Sequence, residues 1–321
     1  QAAALLKRCG FTAVVPNMLW GGSADYSSDI LPVTERCRKE GDQIAACLAA
    51  CRKHGIQMHV WKVNWNLGTA PDDFVARLRA EGRLQRDNGG HEVRWLCPSH
   101  PANFELERDS MLEVARKYAV DGIHFDYIRY PDSSSCYCDG CRQRFEAMEM
   151  VRSDKPFPGI RQWPADVLQG GPLYADYQEF RRRNITRLVK AVSEEAHRIR
   201  PGIKVSAAVF PNWPACRDEI GQDWGGWVRD GYLDFVCPMD YTASNREFRI
   251  RVQVQREAVG GRIPLYPGIG ASAPGLDPVQ VIEQVAIARE EGVPGFIIFN
   301  YDPTTAAEHL PLLAKGTTAK R

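Results

Sequence analysis

The carboxylate of Asp126 closes the segment Asp121-Gly-Ile-His-Phe-Asp126-Tyr-Ile-Arg129-Tyr130-Pro131. A short apolar run stops there at an acid, and an arginine and two tyrosines follow at once. Strand alternation sets Ile123 and Phe125 on one face and His124 and Asp126 on the other. An acid projecting from the C-terminal end of a strand is how barrel enzymes present catalytic groups. The same grammar recurs in Phe235-Val-Cys-Pro-Met-Asp240-Tyr241 and in Gly295-Phe-Ile-Ile-Phe-Asn300-Tyr301-Asp302. Asp126 and Asp240, both read on the inward parity, make a pair able to straddle a bond, one as nucleophile or base and one as acid. The distance between them would decide retention from inversion. Arg129 and Tyr130 are expected to hold Asp126 ionised and positioned. The bland alternative is that each acid caps a loop or pairs with Arg129.

Aromatic residues gather at the same strand exits: Trp61, Trp65, Trp95, Trp213, Trp224, Tyr127, Tyr130, Tyr241 and Tyr301. Their flat faces suit the apolar C–H faces of sugar rings, and Asn17, Lys62, Asn64, Asn212 and Asn300 are spaced to read hydroxyls. About half of such rings should simply be core or loop anchors. His124 joins this set as an inward polar group, although a lone histidine on a strand is more often a hydrogen-bonded core residue. Trp61, Trp65, Trp213 and Tyr241 are the expected lining of sugar subsites.

Three thiols follow the Asp126 strand as Cys136-Tyr-Cys138-Asp-Gly-Cys141, and Cys97 stands in the preceding strand-exit loop. Together they offer a Cys₄ set for a structural zinc; one disulfide plus free thiols, or fully reduced thiols, are the alternatives. In each case the role is to brace a long loop. No H-x-H or H-E-x-x-H pattern, G-x-S-x-G elbow or P-loop occurs, so no catalytic cofactor is expected.

The elements that must position these groups alternate. Strands are expected at Phe11–Leu19, Ile56–Asn66, the Asp126 segment, Lys204–Phe210, Leu233–Tyr241, Pro264–Ile269 and Gly295–Tyr301. Helices are expected at Asp42–His54, Asn103–Tyr118, Leu173–Arg200, Glu247–Val259 and Pro278–Glu291. Repeated β-α units in one uninterrupted domain, 1–321, predict an α/β fold and favour a closed (β/α)₈ barrel over an open doubly wound sheet. The open sheet's G-x-G-x-x-G is absent; Gly268-Ile-Gly270 breaks that spacing. The strand count is one short of eight, and the chain opens on a helix-like Gln1-Ala-Ala-Ala-Leu-Leu-Lys, so the first strand is expected upstream. Two long loops, 67–101 and 131–172, fall on the C-terminal side of their strands, where barrel sites are built.

Composition narrows the partners. Lysine plus arginine total 41 against 40 acids, so no basic field recruits nucleic acid or anionic membrane. No apolar run is long enough to cross a bilayer.

These residues resemble the bacterial family 10 glycosyl-hydrolase-like proteins. Asp121–Pro131 is similar to the family's signature. Trp95-Leu-Cys-Pro-Ser-His-Pro101 is similar to its Trp-Leu-Asp-Pro-x-Asn-Pro segment, with Cys97 in place of the aspartate, and Ala24-Asp-Tyr-Ser-Ser28 falls at its Ala-x-Tyr-x-Ser loop. Tyr232–Tyr241, Leu265–Gly270 and Gly295–Tyr301 resemble its later strands. The resemblance implies a barrel with its first strand upstream of Gln1 and carbohydrate substrates, peptidoglycan strands among those of some relatives. It puts Asp126 at the carboxylate to which the family's catalysis is ascribed. Asp240 falls at a position used for the acid/base in distantly similar barrel glycosidases, and the cysteine loop is similar to zinc loops of some barrel β-galactosidases. The expectation is a secreted or periplasmic glycoside hydrolase acting on a polysaccharide or glycan. The competing readings are a non-catalytic carbohydrate-binding barrel, or a polysaccharide lyase or transglycosylase.

Overall fold

The computed structural model describes residues 1–151 and 156–318. Its strands are β1 (Ala13–Val14), β2 (Asn17–Trp20), β3 (Ser23–Ala24), β4 (Gln57–Val63), β5 (Leu84–Arg86), β6 (Glu92–Leu96), β7 (Gly122–Asp126), β8 (Lys204–Val209), β9 (Phe235–Pro238), β10 (Gly268–Gly270) and β11 (Ile297–Phe299). Pro16, which has no N–H to give a ladder, separates β1 from β2. Both pair in parallel with β4, which pairs with β7, then β8, then β9. A parallel bridge from Val236 to Leu265 continues the walk toward β10, which pairs with β11. Neighbours in space are thus neighbours in chain order, with helices between them, as in a (β/α) barrel. Phe11, ahead of β1, packs edge-on against Phe296, ahead of β11, at 6.3 Å.

Local chemistry sets the helix ends. Asp42 accepts from the Ala45 N–H at 2.9 Å to start Gln43–His54, and Gly55, with φ of 62°, stops it in the left-handed region. Asp277 and Gln280 form a reciprocal capping box at the start of Pro278–Glu290. The 26-residue helix Tyr174–Ile199 buries Tyr177, Ile185, Leu188, Val189, Val192 and Ala196 along one stripe.

Register then fixes which side chains face inward. Lys62 meets Glu107 of the helix Pro101–Lys117, so Lys62 points outward and Trp61 inward. Trp61 pairs with His124, His124 with Ser206, and Ser206 with Phe235, so all four share the interior face. Contacts agree: the His124 Nδ1 lies 2.8 Å from the Ser206 hydroxyl, and the His59 ring sits edge-on to Phe235 at 5.3 Å. Val63 pairs with Asp126, which places Asp126 inward at the strand's end.

The two long loops are more ordered than their composition suggests. Residues 67–101 hold the helix Asp72–Ala80 and the antiparallel hairpin of β5 and β6. Residues 131–172, apart from 152–155 outside the described residues, hold the helix Asp139–Met150. The second is rich in Ser, Gly, Pro and Trp, yet Phe145 there, and Phe74, Val75 and Leu78 in the first, supply the buried faces these elements need.

Outward polar residues form a sealed network. Glu107 lies 3.3 Å from the Lys62 ammonium and accepts from the Asn64 amide at 2.7 Å, and all three residues are buried. Removing one partner strands a charge without water, which costs about 3–5 kcal/mol. Glu107→Ala should therefore lower stability by about that amount, read by urea unfolding, whereas Glu92→Ala, from a half-exposed pair with Arg79, should cost under about 1 kcal/mol.

Candidate active site

Asp126 sits where β7 leaves the sheet. Its Oδ1 accepts from the Tyr127 N–H at 2.7 Å, and the residue is only 6 % exposed. Burial pushes its carboxyl up to about 6; the Tyr127 N–H, the Arg129 charge and the Trp61 indole pull the other way. Tyr127 adopts φ of 53°, and Trp65, where neighbouring β4 exits, has φ of 64°. Two bulky residues in the left-handed region on adjacent exits mark backbone held against its preference, a feature that clusters at functional sites. The Asn64 N–H, 2.8 Å from the Asp126 carbonyl, ties the two exits together.

Arg129 does not pair directly with Asp126. Its Nη1 donates to the carbonyls of Tyr130 and Pro131 at 2.9 and 3.0 Å, and its guanidinium stacks over Phe210, Tyr127 and Trp95 at 4.5, 4.8 and 5.5 Å. It acts on Asp126 through its field. Burial lowers its own pKa, opposed chiefly by Asp126.

Aromatic rings surround the acid. Trp61 contacts Trp20 at 6.1 Å and Phe299 at 6.3 Å, and Phe299 stacks on Tyr241 at 5.2 Å. Trp61 and Tyr241 are partly open, and burial first, then the nearby Asp126 charge, raise the Tyr241 hydroxyl. The Trp61 indole is directed at Asp126, and two further polar atoms of this neighbourhood have no protein partner: Asn17 Nδ2 and Asn300 Oδ1. Asn17 pairs with Trp61 and so shares its inward face. Buried polar atoms without partners are unusual and invite a ligand.

Other expected site residues lie elsewhere. Lys62 and Asn64 face the helix layer, because strand alternation cannot turn successive residues inward together. Trp65 and Tyr130 are fully buried, with Tyr130 under the Arg181 guanidinium at 4.4 Å. Burial drives the His124 imidazole down to about 3, so it stays neutral, a core group bonded to Ser206. Trp213 packs on Trp224 at 4.9 Å, Asn212 is exposed and reaches Glu219, and Tyr301 is 43 % exposed. Glu107, Phe210, Phe299 and Gln255 were not anticipated; Glu107 was legible as an acid on a helix's apolar stripe.

Asp240 departs from the inward reading. Pro238 and Val236 share the outward face, and one more alternation turns Asp240 outward too, toward the helix Asn245–Val259. There Gln255 donates to its Oδ1 at 2.6 Å, its Oδ2 has no partner, and the residue is 0 % exposed. Burial pushes it up to about 8, with Gln255 and Arg251 opposing. The folded chain thus keeps this proton until about pH 8, while an unfolded aspartate loses it near pH 4. Between those values the folded state binds more protons, so stability falls as pH rises. Asp240→Asn, which keeps an acceptor for Gln255, should raise the melting temperature at pH 8 and leave it nearly unchanged at pH 4.

Cys97, Cys136, Cys138 and Cys141 converge with their sulfurs all within 4.8 Å of one another, all buried. Cys97 lies 3.4 Å from Cys141 and 3.7 Å from Cys138, none at disulfide bonding distance. Zinc–sulfur bonds of about 2.3 Å in a tetrahedron require sulfurs about 3.8 Å apart, so the donor set fits. Contacts from the Cys136, Cys138 and Cys141 thiols pull Cys97 well below its usual range. Arg144 donates to Ser99 at 2.9 Å and reaches Cys97 at 3.8 Å, supplying positive charge beside the cluster.

Among the described residues, no helix is long and apolar enough to cross a membrane. The chain is 24 % identical over 274 residues to glycosyl hydrolase DigH of Escherichia coli K12, covering 75 % of this chain and 57 % of DigH. It spans between 13 and 59 % of the length of the curated relatives it matches. Its fold is similar to the PgaB (BpsB) glycoside hydrolase domain of Bordetella bronchiseptica, with a TM-score of 0.76 at 13 % identity, covering all of this chain and 92 % of that one. A β-galactosidase from Bacillus circulans sp. alkalophilus matches with a TM-score of 0.67 at 15 % identity, over 96 % of this chain and 49 % of the other. The family model Glycosyl hydrolase-like 10 covers residues 1–260, and the chain belongs to that family.

Proposed function

We propose that this chain hydrolyses O-glycosidic bonds of a polysaccharide or glycan met outside the cytoplasm, with Asp126 as the reacting carboxylate. The observation that carries this is one inward, strand-end acid, nearly withdrawn from water, ringed by partly open aromatics and by polar atoms lacking partners. The glycosyl hydrolase names of the relatives support the reaction class.

At neutral pH Asp126, titrating near 6, is mostly ionised, and Asp240, titrating near 8, is mostly protonated. Two carboxyls with values pushed apart divide into base or nucleophile and acid. Asp126 attacks the anomeric carbon or orients water, and Asp240 protonates the leaving oxygen. Asp240 is buried, faces the helix layer and holds Gln255, so this step further requires substrate binding to turn its carboxyl toward the barrel mouth. The same burial favours one other reading, a barrel that binds glycans without cleaving them.

In this scheme ionised Asp126 is required, so activity climbs through about pH 6, and protonated Asp240 is required, so it falls through about pH 8. A glycan panel read by mass spectrometry should show products whose masses sum to the substrate plus one water; products lacking the added water would indicate a lyase or a transglycosylase. Asp126→Asn should lower turnover by about 10³-fold or more while retaining glycan affinity. Asp240→Asn should abolish the alkaline limb and lose about 10²-fold or more on natural glycans, much less on aryl glycosides with good leaving groups. Equal losses on both substrate types would remove Asp240 as the acid. Affinity without any cleavage would support the binding-only barrel.

The thiol cluster in this reading is a structural zinc site that braces loops 67–101 and 131–172 and does no chemistry. Protein purified without chelator should carry about one zinc per chain by elemental analysis. Cys97→Ser should lose the metal and lower the melting temperature; absent zinc with fewer titratable thiols would indicate a disulfide.

A further inference from the structure

A cavity of about 740 Å³ opens at Trp20, and Asp126 does not line it. Ligand sites commonly span roughly 300–1,000 Å³. Its walls come from the C-terminal exits of β2 and β4, the same end of the barrel as Asp126: Trp20, Asp25, Arg38, Thr69, Phe74 and Arg77. Gly21 and Gly22, with φ of 54° and 87°, turn the chain after Trp20 so closely against the next loop that a Cβ on Gly22 would come within 2.7 Å of Leu67. This turn keeps Trp20 at the rim, 45 % exposed, its ring edge-on to Trp61. Trp20, Trp61, Phe299 and Tyr241 thus form an unbroken line of rings from the cavity past Asp126.

The cavity's charges are unevenly used. Asp25 is engaged by the Thr34 hydroxyl and the Arg36 guanidinium, and Glu35 by Lys39 at 2.7 Å. Asp73, in the first turn of its helix, accepts from the Phe74 N–H at 2.8 Å. Among the described residues the Arg38 guanidinium has no hydrogen-bond or ion-pair partner, its backbone N–H alone being used, by the Thr34 carbonyl. Arg77 lies over the Phe74 ring at 5.2 Å and feels the Glu81 charge, with no hydrogen bond from its guanidinium. Two guanidinium forks therefore remain free in a cavity whose acids are partly spent, beside an open indole.

We infer that this cavity is a distal subsite for a sugar bearing a carboxylate, stacked on Trp20 and held through Arg38 and Arg77. The inference rests on the glycan reading above and extends it: the substrate is an acidic polymer that runs across the mouth of the barrel. Guanidinium groups match carboxylates through paired N–H donors, a geometry a neutral sugar cannot use.

The test is calorimetric titration of the Asp126→Asn variant with octasaccharides containing glucuronic acid or muramic acid, each against its carboxyl-reduced counterpart. At least one carboxylated ligand should bind about tenfold or more tighter than its reduced form. Arg38→Ala with Arg77→Ala should erase that preference. Trp20→Ala should weaken both forms by about fivefold, with Trp20→Phe restoring most of the loss. In the otherwise wild-type enzyme neither arginine substitution should alter turnover of a short aryl glycoside. Equal affinity for carboxylated and reduced ligands, or a preference that survives loss of both arginines, overturns the subsite. If the preference holds but no glycan is cleaved, the subsite stands and the hydrolase reading fails. If cleavage holds without a preference, the reverse is true.

Discussion

A carboxylate nearly deprived of water is the constraint around which the mouth of this barrel is organised. Asp126 keeps one short hydrogen bond, from the Tyr127 N–H, and faces no direct counter-ion. Its charge is tolerated because Arg129 supplies a field from within a stack of three aromatic rings, fixed by the carbonyls of Tyr130 and Pro131. Arg129 cannot swing over to neutralise the acid without abandoning those bonds. The carboxyl is thus neither quenched by an ion pair nor fully ionised by solvent, and it titrates close to the working range of an acid–base catalyst.

That arrangement depends on support from outside the barrel. Trp95, one wall of the Arg129 stack, lies two residues before Cys97, and the thiol cluster joins its loop to the one that follows Asp126. Arg181 fastens the second loop by donating to the carbonyls of Asp132 and Ser135 at 2.9 and 2.6 Å, and Tyr177 reaches the Cys136 carbonyl at 2.6 Å. The long helix that carries Arg181 and Tyr177 also packs on the sheet. Rigidity therefore passes from the core through this helix to the rim, where the candidate chemistry sits.

Polar residues at the strand exits divide by face. Of the inward ones, Asn17 keeps an unpartnered amide and Asp126 has no direct counter-ion; outward ones, Lys62, Asn64 and Asp240, meet partners in the helix layer. Lys62 and Glu107 would be costly to separate, because both charges are buried together, whereas protonated Asp240 carries no such charge. Asp240 is the instructive member, since its protonation state suits an acid while its direction suits a support for the wall.

Strand and helix positions, the parallel order and the inward direction of Asp126 were legible in the residues themselves. Period-two alternation and the punctuation by Gly and Pro act locally, and each β-α unit repeats the same local rules. The resemblance of Asp121–Pro131 to the family signature is likewise a local property, and the family model bears it out. Asp240 was misjudged because alternation was counted from an assumed phase; only pairing with β8 sets that phase. Lys62 and Asn64 looked like substrate readers because Glu107, more than forty residues away, is invisible to a local reading. The convergence of Cys97 with the C-x-C-x₂-C loop was suggested by spacing, but its depth and its closeness came from two loops folding over one helix. Sequence by itself determined the elements, their order and the acid at the end of β7, because short-range sterics and periodicity control them. Tertiary structure alone decided which polar groups are free and which are paired, because burial and partnership are properties of chain segments that meet only when the sheet curls.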